Sequence, residues 1–396
     1  MKRDEFSDDA PGELISTSFR EHRIRDGARH DAEVTGVAFC PSPLPPNLPL
    51  GEMLPKIYPV LLEAERNLSL LEGIASRISN PHLLIGPFSR REAILSSRIE
   101  NTFASARELA LFEEDPQALE DDRDDVREVH NYVSALNHGL ASERPISINL
   151  IRDMHRILLR SVRGEDKRPG EFRDRQNAIG GNTFESSRFV PPPTLRVLDC
   201  MRDLETFIHK KDDIPRLVRF AMVHYQFEAI HPFLDGNGRV GRLLITLLLC
   251  AQSQLTKPLV YVSGYFEANR QEYYDRLFEV STRNRWIPWI EFFLRAVATQ
   301  AEDARSRADR LIALQEEFQT MVREKRASAK LVEVVDGLFA KPSVTIQDVQ
   351  DLTGMTPTAA GNLVKRLVEK AILVEATGKR RDRVFVAPKI LNVIFE

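Results

Sequence analysis

The sequence predicts a mainly α-helical protein with one β-hairpin interruption and a small C-terminal winged helix-turn-helix domain. Three observations carry this. Apolar residues recur at helical spacing through most of the span 54–325. That periodicity breaks clearly once, over 173–190, where QNAI and SRFV flank Gly180-Gly181-Asn182, a hairpin signal. From 331 onward, short helices give way to two β-suited runs.

Taken in order, residues 1–40 are polar and weakly patterned, so a flexible N-terminal segment is expected there. Pro41-Ser-Pro-Leu-Pro-Pro-Asn-Leu-Pro is an extended lead-in, because proline disfavours helix at the residue before it. An N-terminal helical region over 41–123 follows, with helices at 54–71 and 89–111. The second opens on Ser89-Arg-Arg-Glu92, which fits a capping box. The acidic stretch from Glu113 to Asp125 is expected to be a solvated connection. Helices near 124–140, 147–162, 194–211, 214–229, 238–252, 266–283 and 286–325 then form a core over 124–325. The basic run Arg323–Lys330 leads into a C-terminal domain over 326–396. It holds a helix at 331–340 and two short helices joined at Thr353-Gly354-Met355. Thr356 is the N-cap of the second and Pro357 its first residue. The wing turns at Thr377-Gly378-Lys379.

A chain of 396 residues with 55 basic and 58 acidic side chains is neither disordered nor a coiled coil. Its near-neutral balance also argues against nucleic acid or an anionic membrane as the main partner of the whole chain. Cys40, Cys200 and Cys250 are odd in number and lack metal-ligand spacing, which favours a reducing compartment. The opening MKRDEFSDDAPGELIS lacks an apolar signal stretch. The longest apolar run, Leu243–Ala251, falls far short of the ~20 residues that cross a bilayer. A soluble, cytoplasmic protein with no membrane partner is the expectation.

The chemistry concentrates in Ile230-His-Pro-Phe-Leu-Asp-Gly-Asn-Gly-Arg-Val-Gly-Arg242, between two apolar helices. Gly236, Asn237 and Gly238 let backbone amides converge at a helix start, where the dipole is positive and anions bind. Arg239 and Arg242 are three apart and share the first turn's face. Cations there oppose the macrodipole by roughly 0.3–1 kcal/mol each, which makes sense when an anion such as a phosphate chain joins them. Asp235 puts one hard carboxylate beside the nest, suited to Mg²⁺ bridging phosphates. His231, restrained by Pro232, can take a proton near neutral pH. No Gly-Lys-Ser/Thr follows, so this is not a Walker A loop.

HPFLDGNGRVGR resembles the HPFx(D/E)GNGRxxR motif of the Fic family of adenylyltransferases at every specified position. GEFR173 through FVPP192 resembles the Fic flap region, YFEANRQEYYDRL277 the segment lining the adenosine side, and EAILSSRIENTFAS105 the family's inhibitory helix. The resemblance implies a Fic-type helical core that transfers AMP from ATP to a Ser, Thr or Tyr hydroxyl of a target protein, releasing pyrophosphate. It implies His231 as general base and Asp235 as holder of Mg²⁺. Gly236, Asn237, Gly238 and Gly241 belong to the ATP-binding motif, with Arg239 on the leaving group and Arg242 on the γ-phosphate. Phe233 is a wedge anchoring the loop, and Asn269, Tyr273 and Tyr274 are candidates for the adenosine pocket. The 173–190 flap would receive an extended target segment.

Ser96-x-x-x-Glu100-Asn101 matches the family's inhibitory pattern (S/T)xxxE(G/N). This implies that Glu100 pairs with Arg242 and leaves ATP in a pose unsuited to in-line attack. Some relatives of this type also remove AMP, so a bifunctional enzyme is one alternative. A second is a DNA-binding regulator whose Fic portion senses nucleotide. From Lys365 to Lys389 there are eight basic and three acidic residues, with Asn362, Lys365 and Arg366 on the recognition helix and Lys379, Arg380, Arg381 and Arg383 on the wing. Winged helices also dock proteins. Self-modification and a homodimer are further expectations from the family alone.

Overall fold

Helical periodicity governs the middle of the chain, and strands occupy its two ends. The computed structural model describes residues 1–25, 28–47, 50–76, 82–117, 123–162, 165–181, 184–252, 257–323, 329–379 and 382–396. Strands β1 (Gly12–Arg25) and β2 (Ala28–Pro41) come first, followed by α1 (Leu50–Ala75), α2 (His82–Ile99), α3 (Ala106–Glu114) and α4 (Arg123–Leu140). Next are α5 (Ile148–Leu158), α6 (Thr194–His209), α7 (Arg216–Ile230), α8 (Asn237–Gln252), α9 (Ser263–Ala268), α10 (Arg270–Arg283) and α11 (Trp286–Val322). The C-terminal part holds α12 (Ala329–Ala340), β3 (Ser343–Thr345), α13 (Ile346–Thr353), α14 (Pro357–Glu369), β4 (Val374–Glu375), β5 (Val384–Val386) and α15 (Pro388–Phe395). The chain divides into two compact units. The first comprises residues 1–65, 135–253 and 268–298, and the second 66–134, 254–267 and 299–396. No helix among the described residues is long and apolar enough to cross a membrane.

The first unit is built around α7 and α8, whose near-continuous apolar surfaces are buried as the sequence predicts. On α8, Val240, Leu243, Leu244 and Leu248 are wholly inaccessible. The two helices approach closely at Gly241, where a Cβ would lie 2.3 Å from Glu228 Oε1 and 3.1 Å from Phe227 Cδ1. Beneath this crossing His224 Nε2 shares a 2.8 Å hydrogen bond with the Tyr273 hydroxyl, and Trp289 Nε1 donates to the Ala221 carbonyl at 2.9 Å. Burial, reinforced by the Arg242 guanidinium, pushes the His224 pKa down to about 3.

Two expectations for this unit are corrected. Residues 1–40 are not an unstructured lead-in. β1 and β2 pair antiparallel from Gly12↔Pro41 to Arg25↔Ala28. The base of this hairpin is core: Ala38 and Phe39 are inaccessible, and the Phe39 ring packs 5.5 Å from Phe6 and 5.8 Å from Phe189. Gly12 is required there, because a Cβ would meet Cys40 O at 2.4 Å. A two-stranded ribbon with one anchored end needs few apolar residues, which is why it reads as polar. The second correction concerns 173–190. Among the described residues of this stretch only Ile179 and Phe189 pair, exchanging hydrogen bonds of 2.8 and 3.1 Å. Pro191, Pro192 and Pro193 supply no N–H to extend the ladder, and Val190 O instead accepts from Phe39 N at 2.9 Å. Asn182 of the expected turn lies outside the described residues. Cys40 and Cys200, distant in sequence, are free thiols with sulfurs 3.8 Å apart.

In the second unit the expected helix 89–111 is two helices, α2 and α3. Ser89 caps nothing: α2 already begins at His82, and the Ser89 hydroxyl donates to Gly86 O at 2.9 Å. Glu92 is buried, accepting from Tyr132 at 3.0 Å and from Ser263. The capping box sits instead at Ser105 and Glu108, opening α3. Asn101 ends α2 by taking the left-handed conformation (φ 61°). Asn101 N bonds Arg98 O and Thr102 N bonds Ser97 O, both at 3.0 Å, the two bonds of a Schellman termination. The acidic stretch from Glu113 is not wholly solvated either. Glu114 is buried and accepts from Lys341 Nζ at 2.8 Å and Ser343 Oγ at 2.7 Å, and burial raises its pKa.

At the C-terminus a small antiparallel sheet has the order β3-β5-β4. α13 and α14 join at Gly354 (φ 69°), and the Thr356 side chain caps α14 with Pro357 in its first turn. Arg380, Arg381 and residues 324–328 of the basic run lie outside the described residues. α12 meets α2 closely: a Cβ on Gly86 would lie 2.3 Å from Ala340 O and 2.9 Å from Arg90 Nη1. Arg90 also bonds Glu113 at 2.9 Å.

Two outcomes follow from this packing. Gly86→Val should destabilise the protein by about 1–3 kcal/mol through overpacking, read as a lowered melting temperature. An unchanged temperature would contradict the close approach. His224 is held neutral in the folded state, with its pKa below that of the unfolded chain. Its contribution is therefore full above about pH 6.5 and is lost as pH falls toward about 3, with a slope of at most ~1.4 kcal/mol per pH unit. Urea titration at about pH 7.5 and about pH 5 should show a larger drop for the wild type than for His224→Gln; equal drops would contradict it.

Candidate functional site

The site is assembled from the segment after α5, the loop between α7 and α8, and the first turn of α8. α5 buries one apolar face that includes His155. His155 Nδ1 accepts from the Gly170 amide at 2.8 Å, which leaves Nε2 to donate to the Asp235 carbonyl at 3.0 Å. Arg152, one helical turn earlier on α5, donates to Gly170 O at 2.7 Å. Gly170 has φ +81°, and a Cβ on it would crowd Arg156, so only glycine suits this position.

From that fixed point the chain delivers Phe172 and Arg173. Phe172 packs 5.5 Å from Phe233, and Phe233 stacks on the His155 ring at 3.7 Å. Phe233 is wholly buried, so its ring anchors the loop in the core. The Arg173 guanidinium donates to His231 O at 2.9 Å and to Pro192 O, and its amide donates to Pro232 O at 2.9 Å.

His231 follows the last residue of α7 in the left-handed conformation (φ 49°, ψ 60°), its amide donating to Phe227 O at 3.0 Å. The loop is then closed by Asn237. Its Oδ1 accepts from Phe233 N and its Nδ2 donates to Phe233 O, both at 2.8 Å. Asn237 thus shapes the loop with its side chain, a role beyond a bare turn. Gly236 has φ +75°, and α8 begins at Asn237, so Gly238 and Arg239 lie in its first turn. The first amides of a helix have no intrahelical acceptor, and here they coincide with two buried guanidinium groups, Arg239 (4% exposed) and Arg242 (1% exposed).

The two other histidines of this region are unsuited to proton transfer. His155 uses both nitrogens, and burial lowers its pKa to about 4. His224 lies under the helix crossing, fully buried. His231 is half-buried and retains access to solvent.

Asp235 places a carboxylate beside Gly236 at the edge of the nest. Its Oδ1 accepts from Gly236 N at 2.6 Å and lies 3.7 Å from Arg239 Nη2, and its side chain is 44% exposed. Among the described residues no cluster of three or more His, Cys, Asp or Glu could enclose a metal ion. A single exposed carboxylate does fit Mg²⁺, which keeps water ligands and takes others from substrate phosphates.

The remaining sequence-predicted residues are dispersed. Gly241 faces α7, where it permits the helix crossing. Tyr273, a candidate for the adenosine side, is 1% exposed and occupied with His224, so it is core. Tyr274 is half-buried, 5.3 Å from Tyr273, with Arg270 over its ring. Asn269 precedes α10 and makes no capping bond with its side chain. In the second unit Ser96 is buried on α2, and Glu100 closes that helix with an exposed side chain. Asn101 follows with φ 61°, a conformation that Asn and Gly tolerate.

Sequence reasoning passed over His155, Arg173 and Asn177, whose Nδ2 donates to Phe233 O at 3.0 Å. All three act on main-chain carbonyls, and side chains that recognise backbone leave no spacing pattern. Gly170 before Arg173 was the available signal.

Comparison with known proteins agrees with this geometry. Residues 58–141 match the Fic/DOC family N-terminal domain and residues 145–249 the Fic/DOC family domain. A protein adenylyltransferase Fic of Aedes aegypti is 32% identical over 149 residues, which is 37% of this chain and 27% of the relative. Protein adenylyltransferase fic-1 of Caenorhabditis elegans is 34% identical over 116 residues, 29% of this chain and 22% of the relative. The chain thus spans about a quarter of the length of these relatives. A Fic family protein from Desulfovibrio desulfuricans G20 superposes with a TM-score of 0.54 at 21% identity, covering 84% of this chain and 96% of that one, a likeness of fold. The loop geometry and both domain matches agree that the chain carries a Fic/DOC N-terminal domain and a Fic/DOC domain.

Proposed function

We propose that the protein transfers AMP from ATP to a Ser, Thr or Tyr hydroxyl of a target protein and releases pyrophosphate. The observation that carries this is the junction of α7 and α8. An accessible histidine is held at the end of one helix, and a glycine-flanked amide nest with two buried arginines begins the next. The names of the curated relatives support the same activity.

In this reading His231 takes the proton of the target hydroxyl as its oxygen attacks the α-phosphorus. The bond from that phosphorus to the α–β bridging oxygen breaks, and pyrophosphate leaves. The amides of Gly236, Asn237 and Gly238 hold the phosphates, Arg239 neutralises the leaving group and Arg242 holds the γ-phosphate. Asp235 would hold Mg²⁺, which supplies charge neutralisation across the α- and β-phosphates when bound. The target segment docks on the 173–190 flap through main-chain hydrogen bonds.

Glu100 acts as a brake by competing for the γ-phosphate arginine. Its support is the sequence pattern Ser96-x-x-x-Glu100-Asn101. The C-terminal elements are read as a winged helix that targets or regulates the enzyme. Asn362 and Lys365 are exposed on α14, as a DNA- or protein-docking helix requires.

Incubation with α-labelled ATP, Mg²⁺ and lysate tests these roles. His231→Ala should lose AMP transfer by at least about 100-fold, the usual minimum for a general base. Glu100→Gly should raise transfer several-fold. Label transfer that survives His231→Ala would overturn the base assignment, and equal labelling by wild type and Glu100→Gly would remove the brake.

A further inference from the structure

A cation buried in a protein normally faces a carboxylate, and among the described residues Arg173 faces none. It is 3% exposed, and its guanidinium partners are the carbonyls of His231, Pro192 and Ile230 and the side-chain oxygen of Gln176. Burial lowers its pKa to about 10, so it stays charged at neutral pH. What offsets the charge is the negative end of α7: Ile230 is its last residue and His231 follows. Burial of an ion costs more than such contacts usually return, which points to a task other than stability.

The carbonyls it holds identify the task. His231 is not glycine, yet its backbone sits in the left-handed region, a conformation that surrounding structure must enforce. Arg173 enforces it from two directions, with Nε on His231 O and its own amide on Pro232 O. The same guanidinium holds Pro192 O at the end of the flap. Gln176 Nε2 adds a bond to Pro191 O at 2.7 Å, and Asn177 Nδ2 ties the other flap limb to Phe233 O. Flap and base loop are therefore joined by the Arg173 guanidinium, with Asn177 as a second tie.

We propose that Arg173 is a positioning residue that sets the backbone of the base His231 and couples it to the flap on which the target segment docks. This rests on the AMP-transfer reading above. Arg173 touches no reacting atom, and its effect is on the placement of His231 and on how firmly that placement depends on flap order. A target segment that orders the flap then also orders the base, so chemistry is favoured when a protein substrate is present. A lysine could reach one of these carbonyls but cannot bridge them, because it lacks the planar fork.

The test uses full-length protein carrying Glu100→Gly, with Arg173→Met and Arg173→Lys added singly. kcat and KM for ATP are measured by AMP transfer, and backbone hydrogen exchange by mass spectrometry. Arg173→Met should lower kcat by about 100-fold, the loss typical of a base misplaced by about 1 Å, with KM for ATP within about threefold because the nest is untouched. Exchange protection over 186–192 and 228–233 should fall together while α5 and α8 keep theirs. Arg173→Lys should recover part of kcat. A kcat within about threefold of the parent, a change in KM alone, or protection lost across the whole first unit would overturn the proposal. If the parent itself transfers no AMP, the functional reading fails, and the exchange data alone decide whether Arg173 joins flap and loop.

Discussion

Residues 231–236 join the negative end of one buried helix to the positive start of another, and the molecule satisfies these two poles in different ways. At the end of α7 the carbonyls are met from within, by the Arg173 guanidinium. At the start of α8 the amides are accompanied by two more buried cations, Arg239 and Arg242, so positive charge accumulates where the dipole is already positive. Asp235 Oδ1, 3.7 Å from Arg239 Nη2, brings a carboxylate to that second pole. The backbone conformation of His231 and the shape of the loop follow from the difference between these helix ends.

The loop can carry this charge because it is held mechanically. Asn237 closes it with a reciprocal pair of hydrogen bonds to Phe233, and the Phe233 ring lies on His155, whose tautomer is fixed by Gly170 and Asp235. Apart from the ring stack, each link uses a side chain to satisfy a main-chain group, so the backbone carries much of the order of the site. That leaves His231 and Asp235 accessible at the surface of an otherwise buried assembly. In the second unit, the same economy places Glu100. A left-handed Asn101 ends α2 directly after it, and Thr102 and Phe103 are anchored to Glu128 and Asp125 on α4 at 2.9 Å each.

Much of this was legible in the sequence, for a physical reason. The apolar face of a helix and a glycine at positive φ are local demands, so α4 to α8, the Gly236–Gly238 turn and the Thr356 cap lie where their residues imply. Elements whose partners are remote were not legible. The base of the β1–β2 hairpin is buried by Phe6 and Phe189, and no local pattern announces that. Ser89 and Glu92 have the spacing of a capping box, yet α2 begins upstream and draws both into its body. Tyr273 resembled a ligand-facing aromatic until its hydroxyl was found on His224. Arg173 stood in plain view within GEFR, but its partners are carbonyls, which have no residue type.

The most direct measurement is a calorimetric titration of the Glu100→Gly protein with ATP and with AMP, both with Mg²⁺, repeated on the protein that also carries Arg242→Ala. Binding through the triphosphate predicts that ATP binds at least about tenfold more tightly than AMP, a difference of about 1.4 kcal/mol, and that Arg242→Ala removes most of the difference. Equal affinity for the two nucleotides, or no heat with ATP, would mean that the charged start of α8 does not exist to grip phosphate.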